Sequence, residues 1–156
     1  MLRIAKRWPL FLALGSMWTL FAVPGDAHAE NAQAAVGCDV ATLNATYTFS
    51  YEGYMGTGQT ITRFAVAGLE IYNGNGTIVG ISSRTTEGKA SAQLVTFTGT
   101  YKINSDCVES EVNVDQSGAV THFSNFFGPE GNTLNFIQTD SNVVASGFQT
   151  RQPARR

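Results

Sequence analysis

Eight short runs rich in Thr, Val, Ile, Phe and Tyr, separated from one another by turns of Gly, Asn or Asp, fill the chain from residue 45 to residue 150. β-Branched and aromatic side chains suit a pleated, half-buried surface, and Gly and Asn suit the turns between such surfaces. No stretch beyond residue 29 carries a 3.6-residue apolar period over three turns, so no long helix is expected there. That leaves antiparallel strands in a meander, either closed into a barrel or stacked as two sheets.

The predicted strands are 45–52, 61–72, 77–86, 91–103, 107–114, 119–127, 133–139 and 142–150. In the first, Tyr47, Phe49 and Tyr51 alternate with Thr46, Thr48 and Ser50, the period-2 signature of a strand with one buried face. Asn73-Gly74-Asn75-Gly76 is the clearest turn, because Asn and Gly accept the positive φ of tight hairpins. The glycine-rich stretch 53–58 reads as a link, and as a candidate lid. Eight strands can close and so remove exposed edges. The expected fold is therefore all-β, a single eight-stranded antiparallel barrel with one disulfide. An open sandwich is the alternative, and it would need longer crossovers than the sequence shows.

The segment ahead of the strands reads as an export signal. Lys6 and Arg7 precede an apolar run from Trp8 to Val23, and Ala27-His28-Ala29 has the small-residue pattern of a cleavage site. The run is about 16 residues, short of the ~20 of a membrane span. A retained anchor is the other reading. The expected organisation is signal peptide 1–29, leader 30–42, barrel domain 43–150 and basic tail 151–156. Location would be secreted or periplasmic, with no stable membrane span once the signal is removed.

From Glu30 onward seven Lys/Arg face eleven Asp/Glu, a net charge of about −4. Such a chain is a weak candidate for nucleic acid. Cys38 and Cys107 in an oxidising compartment read as a disulfide closing about 70 residues. A metal pair and a reactive thiol are the rivals. Two isolated Cys and one His cannot fill a tetrahedral metal site unaided, so no metal is expected, and no cofactor motif is present. Oligomeric state is not legible.

Cys38, Leu43-Asn-Ala-Thr-Tyr47, Ala67-Gly68, Asn73-Gly74-Asn75-Gly76, Thr98-Gly99-Thr100-Tyr101, Asp106-Cys107 and Ser146-Gly147 together resemble a group of small secreted proteins, mostly uncharacterised. That group is thought to adopt an allene oxide cyclase-like, calycin-type barrel. The resemblance spans most of residues 38–150. It implies a barrel and, by analogy with allene oxide cyclases, a cyclase or isomerase acting on an apolar molecule. No catalytic motif of that kind maps onto numbered positions here.

Candidate site residues follow from the pattern. Glu70, Arg63 and His122 are candidate acids, bases or polarising groups, with Glu52 and Arg84 as further charges set in apolar strands. At most one of Glu70 and Arg63 can point inward, since they lie on opposite faces of one strand. Glu109 and Glu111 share a face opposite Val108, Val112 and Val114, and are expected to face water. Tyr47, Phe49, Tyr51, Tyr101 and Phe136, with Phe97 and Phe148, either line an apolar cavity or fill a plain core. Three functions stay open: a binder of a small apolar or amphipathic molecule, a cofactor-free cyclase or isomerase, and a structural protein of the cell surface.

Overall fold

The computed structural model describes residues 37–91 and 93–154. The predicted signal, most of the leader and the last two arginines lie outside these. A short 3-10 turn, Val40–Thr42, is followed by nine strands: β1 (Asn44–Thr57), β2 (Thr60–Asn73), β3 (Thr77–Thr86), β4 (Lys89–Ala90), β5 (Val95–Ile103), β6 (Val108–Asp115), β7 (Val120–Phe127), β8 (Thr133–Gln138) and β9 (Val143–Arg151). Apart from the two-residue β4, which pairs only with the end of β3, each strand pairs antiparallel with its neighbours in the chain. The β1–β9 pairing, from Tyr47 opposite Arg151 to Met55 opposite Val143, closes the ring. The result is an eight-stranded up-and-down barrel, and the sandwich alternative is excluded.

The strand limits correct two expectations. The stretch 53–58 is not a loose link. β1 runs on through it to Thr57, paired with β2 as far as Thr57–Thr60, and only Gly58 and Gln59 turn the chain. Gly53 permits this by lying against Ala145 of β9, where a side chain would collide. The predicted strand at 91–103 begins instead at Val95.

The two ends of the barrel differ. At one end the 3-10 turn and Leu43 plug the opening. Asp39 caps that turn: its carboxylate accepts from the Ala41 and Thr42 amides, and its own amide donates in return to the Thr42 hydroxyl oxygen. Leu43 packs with Tyr47, Tyr72, Ile78, Tyr101 and Leu134, all buried. The tyrosine hydroxyls fasten the plug: Tyr101 donates to the carbonyls of Val40 (2.8 Å) and Leu43 (3.0 Å), and Tyr47 to that of Gly131 (2.5 Å). The Cys38–Cys107 disulfide ties the same segment to the β5–β6 turn, as the cysteine pattern implied. Among the described residues no helix is long and apolar enough to cross a membrane.

The wall is tightened where rings lie on glycines of the next strand. Phe49 is paired with Gly68 and Phe97 with Gly80, and each ring occupies the space a Cβ would take. Gly80→Ala is expected to cost about 1–3 kcal/mol through overpacking. Urea unfolding would measure it, and a loss under about 0.5 kcal/mol would show that the Phe97 ring moves aside freely.

Candidate functional site

Alternation decides what enters the barrel. On β1 the odd-numbered residues point inward, so Tyr47, Phe49 and Tyr51 share the interior. Register carries this to β2, where Tyr47 lies opposite Glu70 and Tyr51 opposite Val66. Glu70 is therefore internal and buried. Arg63 has the other parity. It sits outside, in an exposed ion pair with Glu52 (2.8 Å). Tyr101 lies opposite Glu111, which sends Glu109, Glu111 and Asn113 inward.

This overturns the expectation for Glu109 and Glu111. They are 0% and 2% exposed, while Val114 on the other face is 40% exposed. β6 carries its acids into the barrel and its valines outward. His122 is also on the outer face, about half exposed, with Nδ1 2.7 Å from Asp140. Its ring points away from the interior, so His122 is not part of the internal site. Phe148 is likewise outside.

The interior is layered. Above the plug lies a polar band of Tyr72, Glu70, Glu109, Glu111, Asn113, Asn125 and Gln149, all buried. Glu111 is its hub. One carboxyl oxygen accepts from the Tyr72 hydroxyl (3.0 Å) and from the Asn125 amide (2.9 Å), and the other accepts from the Asn113 amide. The Gln149 amide donates to the Tyr72 hydroxyl oxygen (3.2 Å). No cation pairs with these carboxyls among the described residues. Burial pushes the Glu109 acid up to about 9, with Glu111 adding to the rise. Glu70 is raised well above the usual carboxylate range by burial and then by Glu111 and Glu109, and burial raises Glu111 too. Unpaired like charges in a low-dielectric interior favour the neutral acids.

Above the band, toward the unplugged end, is a cavity of about 170 Å³. Its walls are aromatic: Phe49, Tyr51, Phe97, Phe123 and Phe136. Tyr51, Phe123 and Phe136 meet edge to face at 5.4–5.7 Å between ring centres. Glu70, Glu111, Asn113 and Gln149 form its floor, and Arg84 and Asp115 stand nearer the rim. Burial raises the Tyr51 phenol to about 12, so it remains neutral. Of the predicted aromatic residues, Phe49, Tyr51 and Phe136 line this space, whereas Tyr47 and Tyr101 belong to the plugged end.

Several internal polar atoms have no partner: Oε1 of Glu70, both carboxyl oxygens of Glu109, the side-chain carbonyls of Asn113, Asn125 and Gln149, and Nε of Arg84. Buried polar atoms without partners are uncommon, and each calls for a water or a ligand. Among the described residues no group of His, Cys, Asp and Glu is arranged to hold a metal ion.

No protein-family model matches the chain, and no curated protein matches it. Among solved structures the chain is similar to a de novo designed fluorescence-activating β-barrel, at 14% identity and a TM-score of 0.49, over 74% of this chain and 99% of the designed one.

Proposed function

We propose that this is an exported barrel that binds a small apolar or amphipathic molecule in its unplugged half. The observation that carries the reading is the aromatic-walled cavity with a floor of buried, partly unpartnered polar groups. A few convergent polar groups in an otherwise apolar recess are the usual anatomy of a small-molecule site. The volume supports a compact ligand: an apolar cavity of ~150 Å³ takes up benzene, so 170 Å³ suits a single ring rather than a long acyl chain. Export is supported by the signal-like sequence at 1–29 and by the disulfide. The allene oxide cyclase-like resemblance fits the same site, since Glu70 and Glu111, if protonated, would offer acid groups beside a bound molecule.

Native mass spectrometry of the protein recovered from an export-competent host tests the binding reading. The expected result is a mass increment of about a single-ring compound that leaves on gentle activation. A bare chain that also ignores a panel of single-ring compounds would refute it.

A second reading has its own observation. Tyr54, Phe126, Ile137, Val144 and Phe148 are all exposed on the outer wall, and Tyr54 is paired with Val144. Exposed apolar surface of this kind favours a surface-interaction protein. Sedimentation that shows concentration-dependent self-association would move the balance that way.

A further inference from the structure

The cavity has two chemically different ends. At the rim Arg84 is an isolated cation. Its guanidinium lies 4.7 Å above the Phe64 ring, and its Nη2 reaches only the Met55 sulfur (3.1 Å). It has no ion-pair partner among the described residues, and its Nε is buried without an acceptor. The Asp115 carboxylate shares the rim but is held by its own turn, accepting from the Ser117 amide (2.7 Å), the Ser117 hydroxyl (2.6 Å) and the Ala119 amide (3.0 Å). At the floor the surplus is of the opposite kind. Glu70 Oε1 and the side-chain carbonyls of Asn113 and Gln149 are acceptors without donors. On the β2–β3 ladder Arg84 pairs with Val66 and Glu70 with Gly80. The two ends are thus four residues apart, ~13 Å along the strand, about the reach of one ring with a polar group and a hydrogen bond at each end.

Resting on the binding function proposed above, we propose that the occupant is a small aromatic carboxylate with a hydrogen-bond donor on the far side of its ring, its carboxylate at Arg84 and its donor at Glu70. Three observations converge on this. The unpaired guanidinium needs an anion, and Arg matches a planar carboxylate. The space between is walled by rings and sized for one more. The floor has three unpartnered acceptors against at most the two acid protons of Glu70 and Glu111, and a hydroxyl or amine on the ligand supplies a further donor. The other ionisable groups lining the cavity are Tyr51, Glu70, Glu111 and Asp115. Burial raises the first three toward their neutral forms, and the Asp115 carboxylate is engaged by the Ser117 and Ala119 donors of its own turn rather than by Arg84.

The test is calorimetric titration of the protein from an export-competent host with 4-hydroxybenzoate, its methyl ester, benzoate and benzylamine. Amide chemical shifts of Val66, Phe97 and Thr121 would locate the ligand. The expected result is that 4-hydroxybenzoate binds at those residues and its ester binds about tenfold or more weaker. Benzoate, which lacks the donor, falls between. Arg84→Met weakens the acid by about tenfold and leaves the ester unchanged, while Arg84→Lys keeps part of the difference. If acid, ester and benzylamine bind alike and Arg84→Met changes nothing, the assignment of an aromatic carboxylate is overturned while barrel binding stands. If none of the probes shifts the cavity residues, both readings fall.

Discussion

Glu109→Gln is expected to raise the melting temperature at pH 8 and to flatten its dependence on pH. In the unfolded chain this carboxyl ionises near 4.5, and in the barrel near 9. Below pH 4.5 both states hold the proton and the acid has no effect on the balance. Between about 4.5 and 9 the unfolded state releases the proton while the folded state keeps it, so stability falls as pH rises. The slope approaches ~1.4 kcal/mol per pH unit, on the order of 3 kcal/mol by pH 7. Gln has nearly the shape of the protonated acid and nothing to ionise, so it removes the loss. The gain corresponds to a shift on the order of 10 °C for a domain of this size. Glu70 and Glu111 shift in the same direction, so the unsubstituted protein is expected to be most stable in mild acid and to unfold on the alkaline side. Thermal melts of both proteins followed by circular dichroism at pH 5 and pH 8 measure this. Parallel pH slopes would show that Glu109 is ionised inside the barrel.

Replacing Cys38 and Cys107 together by Ser is expected to cost about 4 kcal/mol. The bond spans 69 positions, and a crosslink of that span removes much of the freedom of the unfolded chain. The damage in the folded state should be local. Val40 to Leu43 would keep the tyrosine hydrogen bonds, the Gly74 amide bond to the Leu43 carbonyl, the Asp39 cap and the packing of Leu43. Hydrogen exchange should therefore rise first at the 3-10 turn, while the cavity half stays protected. Urea unfolding with and without a reductant gives the energy. A change under about 1 kcal/mol would mean that the plug holds without the bond.

How far the site could be read from sequence turned on one hairpin. The alternation of Tyr47, Phe49 and Tyr51 correctly marks a buried face, and the strand succession correctly implies a barrel. Treating 53–58 as a loop hid the register. Once the turn is placed at Gly58 and Gln59, Tyr47 must face Glu70, and Glu70 must point inward. β6 misled for a physical reason. Valines usually mark the buried face, but this barrel reverses that on β6, placing Val114 outside and the acids inside, where protonation and the Tyr72, Asn113 and Asn125 bonds make them tolerable. The signal that could have revealed it was the pairing of Tyr101 with Glu111, which depends on the length of the β5–β6 turn. That turn is set by Asn104, whose side chain caps the amides of Asp106 and Val108, and by the positive φ of Cys107. Arg84 stood out as a charge among small residues, but no local pattern could reveal that it lacks a partner.

The seam between β1 and β9 has a consequence in time. Every other ladder of the barrel joins strands that are consecutive or nearly so along the chain, whereas this one joins Tyr47 to Arg151. During synthesis the first strand emerges early and waits for about a hundred residues before its second partner exists. Until then both flanks of the growing sheet are raw edges, open to pairing with any other strand.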